Sequence, residues 1–145
     1  ADSSTAWSVA YTGIDGLSLT YASGEDNQVA GSEADHEVMK ATYAYGPITV
    51  GYMESDYNDA VASGDQNTTA YNVAYTISDE LSVSYGSSKT DHENSSLQDQ
   101  DAQAVSFSYV SGGMTISGSM ANVDNVGGTS TVDNSGYELN VAFAF

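Results

Sequence analysis

"AYNVAYTISDELSVSYGSS", residues 70–88, alternates large apolar side chains with small polar ones on both sides of a short polar break. Tyr71, Val73, Tyr75 and Ile77 share one parity, and Leu81, Val83 and Tyr85 resume it after the break. Successive side chains of a strand point to opposite faces, so the stretch predicts an antiparallel hairpin with one apolar face. The same unit recurs as "AWSVAYTGIDGLSLTYAS" (6–23), "KATYAYGPITVGYMES" (40–55) and "AVSFSYVSGGMTISGSM" (104–120). Its marker tyrosines Tyr11, Tyr45, Tyr75 and Tyr109 recur at spacings of 34, 30 and 34. A last half-unit, "GYELNVAFAF" (136–145), brings the expectation to nine strands, with no helical periodicity anywhere.

The face opposite the apolar one carries residues such as Ser8, Ala10, Thr20, Thr49, Ser84 and Ser106, small and polar almost throughout. Connections alternate as strictly as the strands. Short ones ("TGIDG", "GP", "TISDE", "VSGG") have turn chemistry, and Pro47 sits where its missing N–H costs nothing. Long ones are expected at 22–37, 54–69, 86–101 and 121–134, and these four segments hold fifteen of the twenty carboxylates. One end of the sheet is thus trimmed and the other bulky and acidic.

Composition narrows the function classes. The 145 residues suffice for one domain or part of a larger one. Without Cys there is no disulfide framework and no thiolate metal site. A net charge of −18 with Lys40 and Lys89 as the sole Lys or Arg residues leaves nothing to track phosphates, so no nucleic-acid partner is expected. No apolar run is long enough for a transmembrane helix, which leaves transmembrane strands open. No signal peptide opens the chain, and "ADSSTAW" fits either a mature N-terminus or an internal cut.

Alternation alone does not say which face meets water. In a soluble sandwich the apolar face packs on a second sheet; in a transmembrane barrel it meets lipid. Three features favour the barrel. Strict short/long alternation is up-and-down topology, whereas sandwiches usually need Greek-key crossovers. Tyrosines recur at strand ends, as in an interfacial girdle. The polar face also lacks the Lys/Glu scatter of an ordinary solvated surface. The expected fold class is therefore all-β, an antiparallel up-and-down transmembrane β-barrel.

The last ten residues carry a specific resemblance. Tyr137, Leu139, Val141, Phe143 and the terminal Phe145 resemble the C-terminal assembly signal of Gram-negative outer-membrane β-barrels. "SDELSVSYG" and "GYELNVAFAF" are similar to closing hairpins of the general porins, particularly acidic ones of marine type. The resemblance implies a water-filled diffusion channel in the outer membrane. It also implies lipid and the barrel-insertion machinery as partners, a homotrimer, and no cofactor or enzymatic activity. Parity departs from the family pattern. Nine strands beginning on the long-loop side cannot make a whole even-stranded barrel. Residues 1–145 are thus expected to be the C-terminal segment of a larger barrel, of sixteen strands as the resemblance implies, with closure of the sheet between chains as the rival.

Candidate chemistry is sparse. His36 ("ADHE") and His92 ("TDHEN") lie in the acidic segments, and no nucleophile motif accompanies them. "DYNDAVASGD" and "DHENSSLQDQD" are rich enough in oxygen ligands to make the acidic loops candidates for Ca²⁺, yet they lack EF-hand spacing. "NTT" and "NSS" match the glycosylation triplet and carry no weight in a bacterial protein. The expected pore-lining set is Lys40, Thr42, Asn72, Glu138 and Asn140, with Lys40 and Glu138 the clear charges. Acid-rich mouths concentrate cations within a Debye length of about 8 Å, so weak cation selectivity is expected. The alternatives are a small structural outer-membrane barrel and a secreted or self-associating β-sheet protein, whose open edges would pair readily.

Overall fold

Alternating residues extend into nine strands in the computed structural model, which describes residues 3–29 and 32–144. They are β1 (Ser3–Ile14), β2 (Leu17–Val29), β3 (Ser32–Tyr45), β4 (Ile48–Asp59), β5 (Gln66–Thr76), β6 (Leu81–His92), β7 (Gln100–Ser111), β8 (Met114–Asp124) and β9 (Asn134–Phe143). All nine form one sheet in sequence order, each antiparallel to the next. This is the up-and-down topology expected from the hairpin repeat. No helix among the described residues is long and apolar enough to cross a membrane, which says nothing of strands.

Register keeps the two chemistries on separate faces over the whole sheet. One unbroken cross-strand row runs Ile48–Tyr75–Val83–Phe107–Gly118–Leu139 from β4 to β9. The row one residue away, on the other face, runs Thr49–Ala74–Ser84–Ser106–Ser119–Glu138. A slip of one residue in any pairing would mix the two rows, so patterning fixes the register. Aromatic residues bracket the apolar face: Tyr45, Tyr75 and Tyr109 near the short turns, Tyr52, Tyr71, Tyr85 and Tyr137 toward the other end. Trp7 and Tyr21 approach at 5.4 Å between ring centres, and Tyr52 and Tyr71 at 5.3 Å, distances at which tilted rings attract.

The apolar face has no second layer against it. No hydrophobic residue among the described ones is buried, and Tyr137 and Leu139 are 87% and 65% exposed. A soluble sandwich would bury this face between two sheets. Such an expanse in water far exceeds the apolar patches soluble monomers tolerate.

Three short connections are two-residue turns at Asp15-Gly16, Gly46-Pro47 and Gly112-Gly113, and residues 77–80 make the fourth. Gly16 has φ +76°, and a Cβ there would strike the Ala44 carbonyl. Glycine is therefore required at that turn.

The long connections differ from expectation. Most of segments 22–37, 54–69 and 86–101 is strand, as is the start of 121–134, with pairing continued to Val29↔Ser32, Asp59↔Ala34, Gln66↔His92 and Asp124↔Asp101. The connections that remain after β4, β6 and β8 are 60–65, 93–99 and 125–133. Beyond the tyrosines both faces are polar, so the apolar alternation that signals a strand disappears. The backbone ladder does not need it and runs on. β1 and β9 have no strand on their outer sides among the described residues, so the sheet is open as described.

Candidate pore-facing wall

The five expected pore-lining residues all occupy the small polar face, on three strands. Thr42 and Asn72 lie in one row, Ser18–Thr42–Gly51–Asn72–Gly86, with only Gly51 between them. The Asn72 amide lies over Gly51, where a Cβ would collide with it. Lys40 is two residues along β3 from Thr42 and pairs with Thr20 and Met53. Glu138 and Asn140 are neighbours on β9, and the Asn140 amide donates to Glu138 Oε1 at 2.6 Å. Thr42 and Asn72 are thus brought together, as are Glu138 and Asn140. Lys40 and Glu138, on β3 and β9, are separated by five intervening strands.

Hydroxyls dominate the rest of the wall. Ser82, Ser84, Ser106, Ser108, Ser117 and Ser119 line an open concavity of about 450 Å³ that reaches Asn140. The Ser84 and Ser106 hydroxyls bond across the strands at 2.7 Å, as do those of Thr68 and Thr90 at 2.9 Å. Small side chains keep this surface low, and their hydroxyls can exchange hydrogen bonds with water or polar solutes.

Above the tyrosines the apolar face gives way to carboxylates. Glu25 stands opposite Asp35, Glu37 opposite Asp56, and Asp101 opposite Asp124. Like charges in register repel. Part of this is offset: Asn67 Nδ2 donates to Asp56 Oδ1 at 2.5 Å, and Tyr52 Oη to Glu54 Oε2 at 2.7 Å. Lys89 binds both Asp91 and Asp99, the latter at 2.9 Å. The Lys89 hydrogen bond holds the Asp99 carboxyl below the usual carboxylate range. Among the described residues no group of three or more His, Asp or Glu side chains is arranged to hold a metal ion, so the Ca²⁺ candidates of the acidic segments find no such cluster.

Sequence reading placed His36 and His92 in loops, and both are on strands. His36 lies in β3 and packs on Tyr57 at 4.6 Å between ring centres; His92 is the last residue of β6. Both share the parity of the polar face, together with Tyr57, Gln66 and Gln100. Counting parity upward from Tyr85 or Tyr45 would have found them. Of the five residues expected to form an assembly signal, Tyr137, Leu139, Val141 and Phe143 share the apolar face of β9, and Phe145 lies outside the described residues.

No protein-family model matches the sequence, and no curated protein matches it. Solved structures do match in shape. Three variants of a Rhodobacter blastica porin superpose with TM-scores of 0.73, 0.71 and 0.70 at 16%, 15% and 16% identity. Each alignment covers 98% of this chain and 46% of the porin, so the chain spans under half the length of those proteins. An open, sequential nine-stranded sheet with segregated faces is what part of a porin barrel looks like, and the chain has that porin-like β-barrel fold.

Proposed function

We propose that this chain is the C-terminal part of an outer-membrane porin, in which a water-filled lumen passes small hydrophilic solutes and ions by passive diffusion. The observation that carries the reading is the pairing of an apolar face on which no described residue is buried with an opposite face rich in small hydroxyl side chains. Lipid satisfies the first and water the second. Residues 1–145 act as one barrel segment, and the remaining strands of the same protein close the sheet by pairing with β1 and β9. The protein works as a homotrimer, its apolar face meeting lipid or a neighbouring subunit, with no cofactor and no catalytic step.

Transport follows from the wall. Lys40, Thr42, Asn72, Glu138 and Asn140 line the lumen, and the carboxylates at the long-connection end, which is extracellular, enrich cations at the mouth. With twenty carboxylates against two Lys, a net charge of −18, selectivity is weakly cationic. Tyr137, Leu139, Val141, Phe143 and Phe145 form the signal that the insertion machinery reads. The test is single-channel recording of the full-length protein in a planar bilayer under a salt gradient. A reversal potential of cationic sign supports the reading; absence of channels, or an anionic sign, contradicts it.

β1 and β9 pair with no strand on their outer sides among the described residues, which favours one rival, a sheet that assembles by edge pairing between copies of this chain. Such an assembly would persist in water without detergent.

A further inference from the structure

The apolar face is a slanted band, and the register gives its slope. Leu17, at the first short turn, pairs with Tyr43, two residues short of the Tyr45–Ile48 pair at the second. Ile48 pairs with Tyr75, two short of Ile77, whose N–H bonds Leu81 O at the third. Leu81 pairs with Tyr109, two short of the Ser111–Met114 pair at the fourth. Each hairpin is therefore set two residues beyond the one before it. The edge of the band nearer the long connections follows the same steps. Tyr21 shares a row with Met39 and Glu54, and Glu54 lies two residues beyond Tyr52. Tyr52 shares a row with Tyr71 and Ser87, and Ser87 lies two residues beyond Tyr85. One residue per strand, about 3.3 Å along for about 4.8 Å across, is a slope of about 35°. Strands tilted by that angle bring both edges of the band level, and transmembrane barrels tilt theirs by about 35–45°.

The band is also short. On β2, β4 and β6 it spans Leu17–Tyr21, Ile48–Tyr52 and Leu81–Tyr85, and on β9 Tyr137–Phe143. At that tilt, four to six residues rise about 11–16 Å, against about 25 Å for the usual lipid-facing band. Two further rows toward the long connections would make up the difference. On the same face those rows hold Glu25, Glu37, Glu54, Lys89, Asp101 and Asp124. Tyr52 Oη, donating to Glu54 Oε2 at 2.7 Å, already turns to the charged side of the edge.

We propose that the lipid partner of this face is a hydrocarbon layer thinner than the usual ~25 Å, one of short-chain phospholipid, whose surface lies at the first charged row. The inference rests on the reading that lipid covers the face at all. Charge on the lipid side of a barrel is costly wherever hydrocarbon reaches it, so a thicker layer must thin against this wall. Each ångström of mismatch then lowers stability.

Equilibrium urea unfolding of the full-length protein from phosphatidylcholine vesicles, with acyl chains of twelve, fourteen, sixteen or eighteen carbons, tests this. The native protein should be most stable at twelve carbons, its folding equilibrium falling by about tenfold or more at eighteen. A variant with Thr69→Leu, Ser87→Leu and Gln103→Leu raises the band by one row on β5, β6 and β7. It should lose less, so the ratio of variant to native equilibria grows with chain length. That ratio depends on these strands alone, whatever the rest of the barrel contributes. Native stability that rises with chain length overturns the proposal. So does a variant that gains equally at every length, because its three positions then already lie in hydrocarbon. Glu54→Cys and Asp101→Cys give a readout that needs no apolar variant. A membrane-impermeant maleimide should label both in the inserted protein, and refusal at either overturns the proposal. Failure to insert at any chain length is a separate result, which removes the lipid reading itself and this inference with it.

Discussion

Arg in place of Val73 tests whether the apolar face meets lipid. Val73 is central on β5, paired with Val50 and Tyr85 in one apolar row, and 40% exposed because nothing protein-borne covers it. If lipid covers it, the substitution puts a guanidinium near the middle of the hydrocarbon, at a cost of about 2–4 kcal/mol on the lipid face of a barrel. If water covers it, the change is a surface substitution worth within about 0.5 kcal/mol. At about 1.4 kcal/mol per decade, the first case shifts the folding equilibrium by about thirty- to a thousand-fold, which is easily resolved. The assay is denaturant unfolding of the full-length protein from phospholipid vesicles, with Ala74→Arg as the control. Ala74 is the next residue, on the polar face in the row of Ser84 and Ser106. Ala74→Arg should leave unfolding nearly unchanged while lowering cation preference. Equal stability effects at the two positions would refute the assignment of faces.

Other outcomes follow from individual residues. Asn72→Lys adds a positive charge beside Thr42 and Gly51 and should move the reversal potential toward anions, whereas Lys40→Gln should move it toward cations, both read in a salt gradient. Removing Phe145 should cut the yield of assembled trimer in the outer membrane, while single-channel conductance of the trimers that do form stays unchanged. Asp99 gains its stabilising contribution above the unfolded carboxyl range and loses it as pH falls through its depressed folded value. Hydrogen exchange at the Gln98 amide, which bonds Gly128 O, should therefore rise below about pH 4, and Asp99→Asn should remove that acid step.

Much of the fold is written in alternation. Tyr71, Val73 and Tyr75 against Asn72, Ala74 and Thr76 define two faces, and hairpin order follows from short turns such as Gly46-Pro47. Nine strands and their order could be read that way because the apolar face makes each strand conspicuous. What could not be read is strand length. Past Tyr52 come Glu54 and Asp56, and past Tyr85 come Lys89 and Asp91, residues with no apolar partner parity to mark a strand. Ladder bonds alone carry β4 to Asp59 and β6 to His92. That Lys40, Thr42, Asn72, Glu138 and Asn140 share the polar face was legible as parity, but their spatial grouping was not. That Thr42 and Asn72 flank Gly51, while Lys40 and Glu138 stand far apart, depends on register. The close approach of Gly128 to Leu97 and the His92 ring depends on positive φ at Asn125, Gly127 and Gly128, which no pattern announces.

Site-directed quenching along β9 tests the central claim most directly. The chain has no Cys, so single cysteines placed in turn at positions 135–143 of a full-length protein otherwise free of cysteine report one site each. With a fluorophore at each position, a lipid-borne quencher should act strongly at 137, 139, 141 and 143 and weakly at 138, 140 and 142. A water-soluble quencher should give the reverse order. Uniform access of the water-soluble quencher to both parities, or stronger access of it to the odd positions, would contradict a sheet with an apolar environment on one face and water on the other.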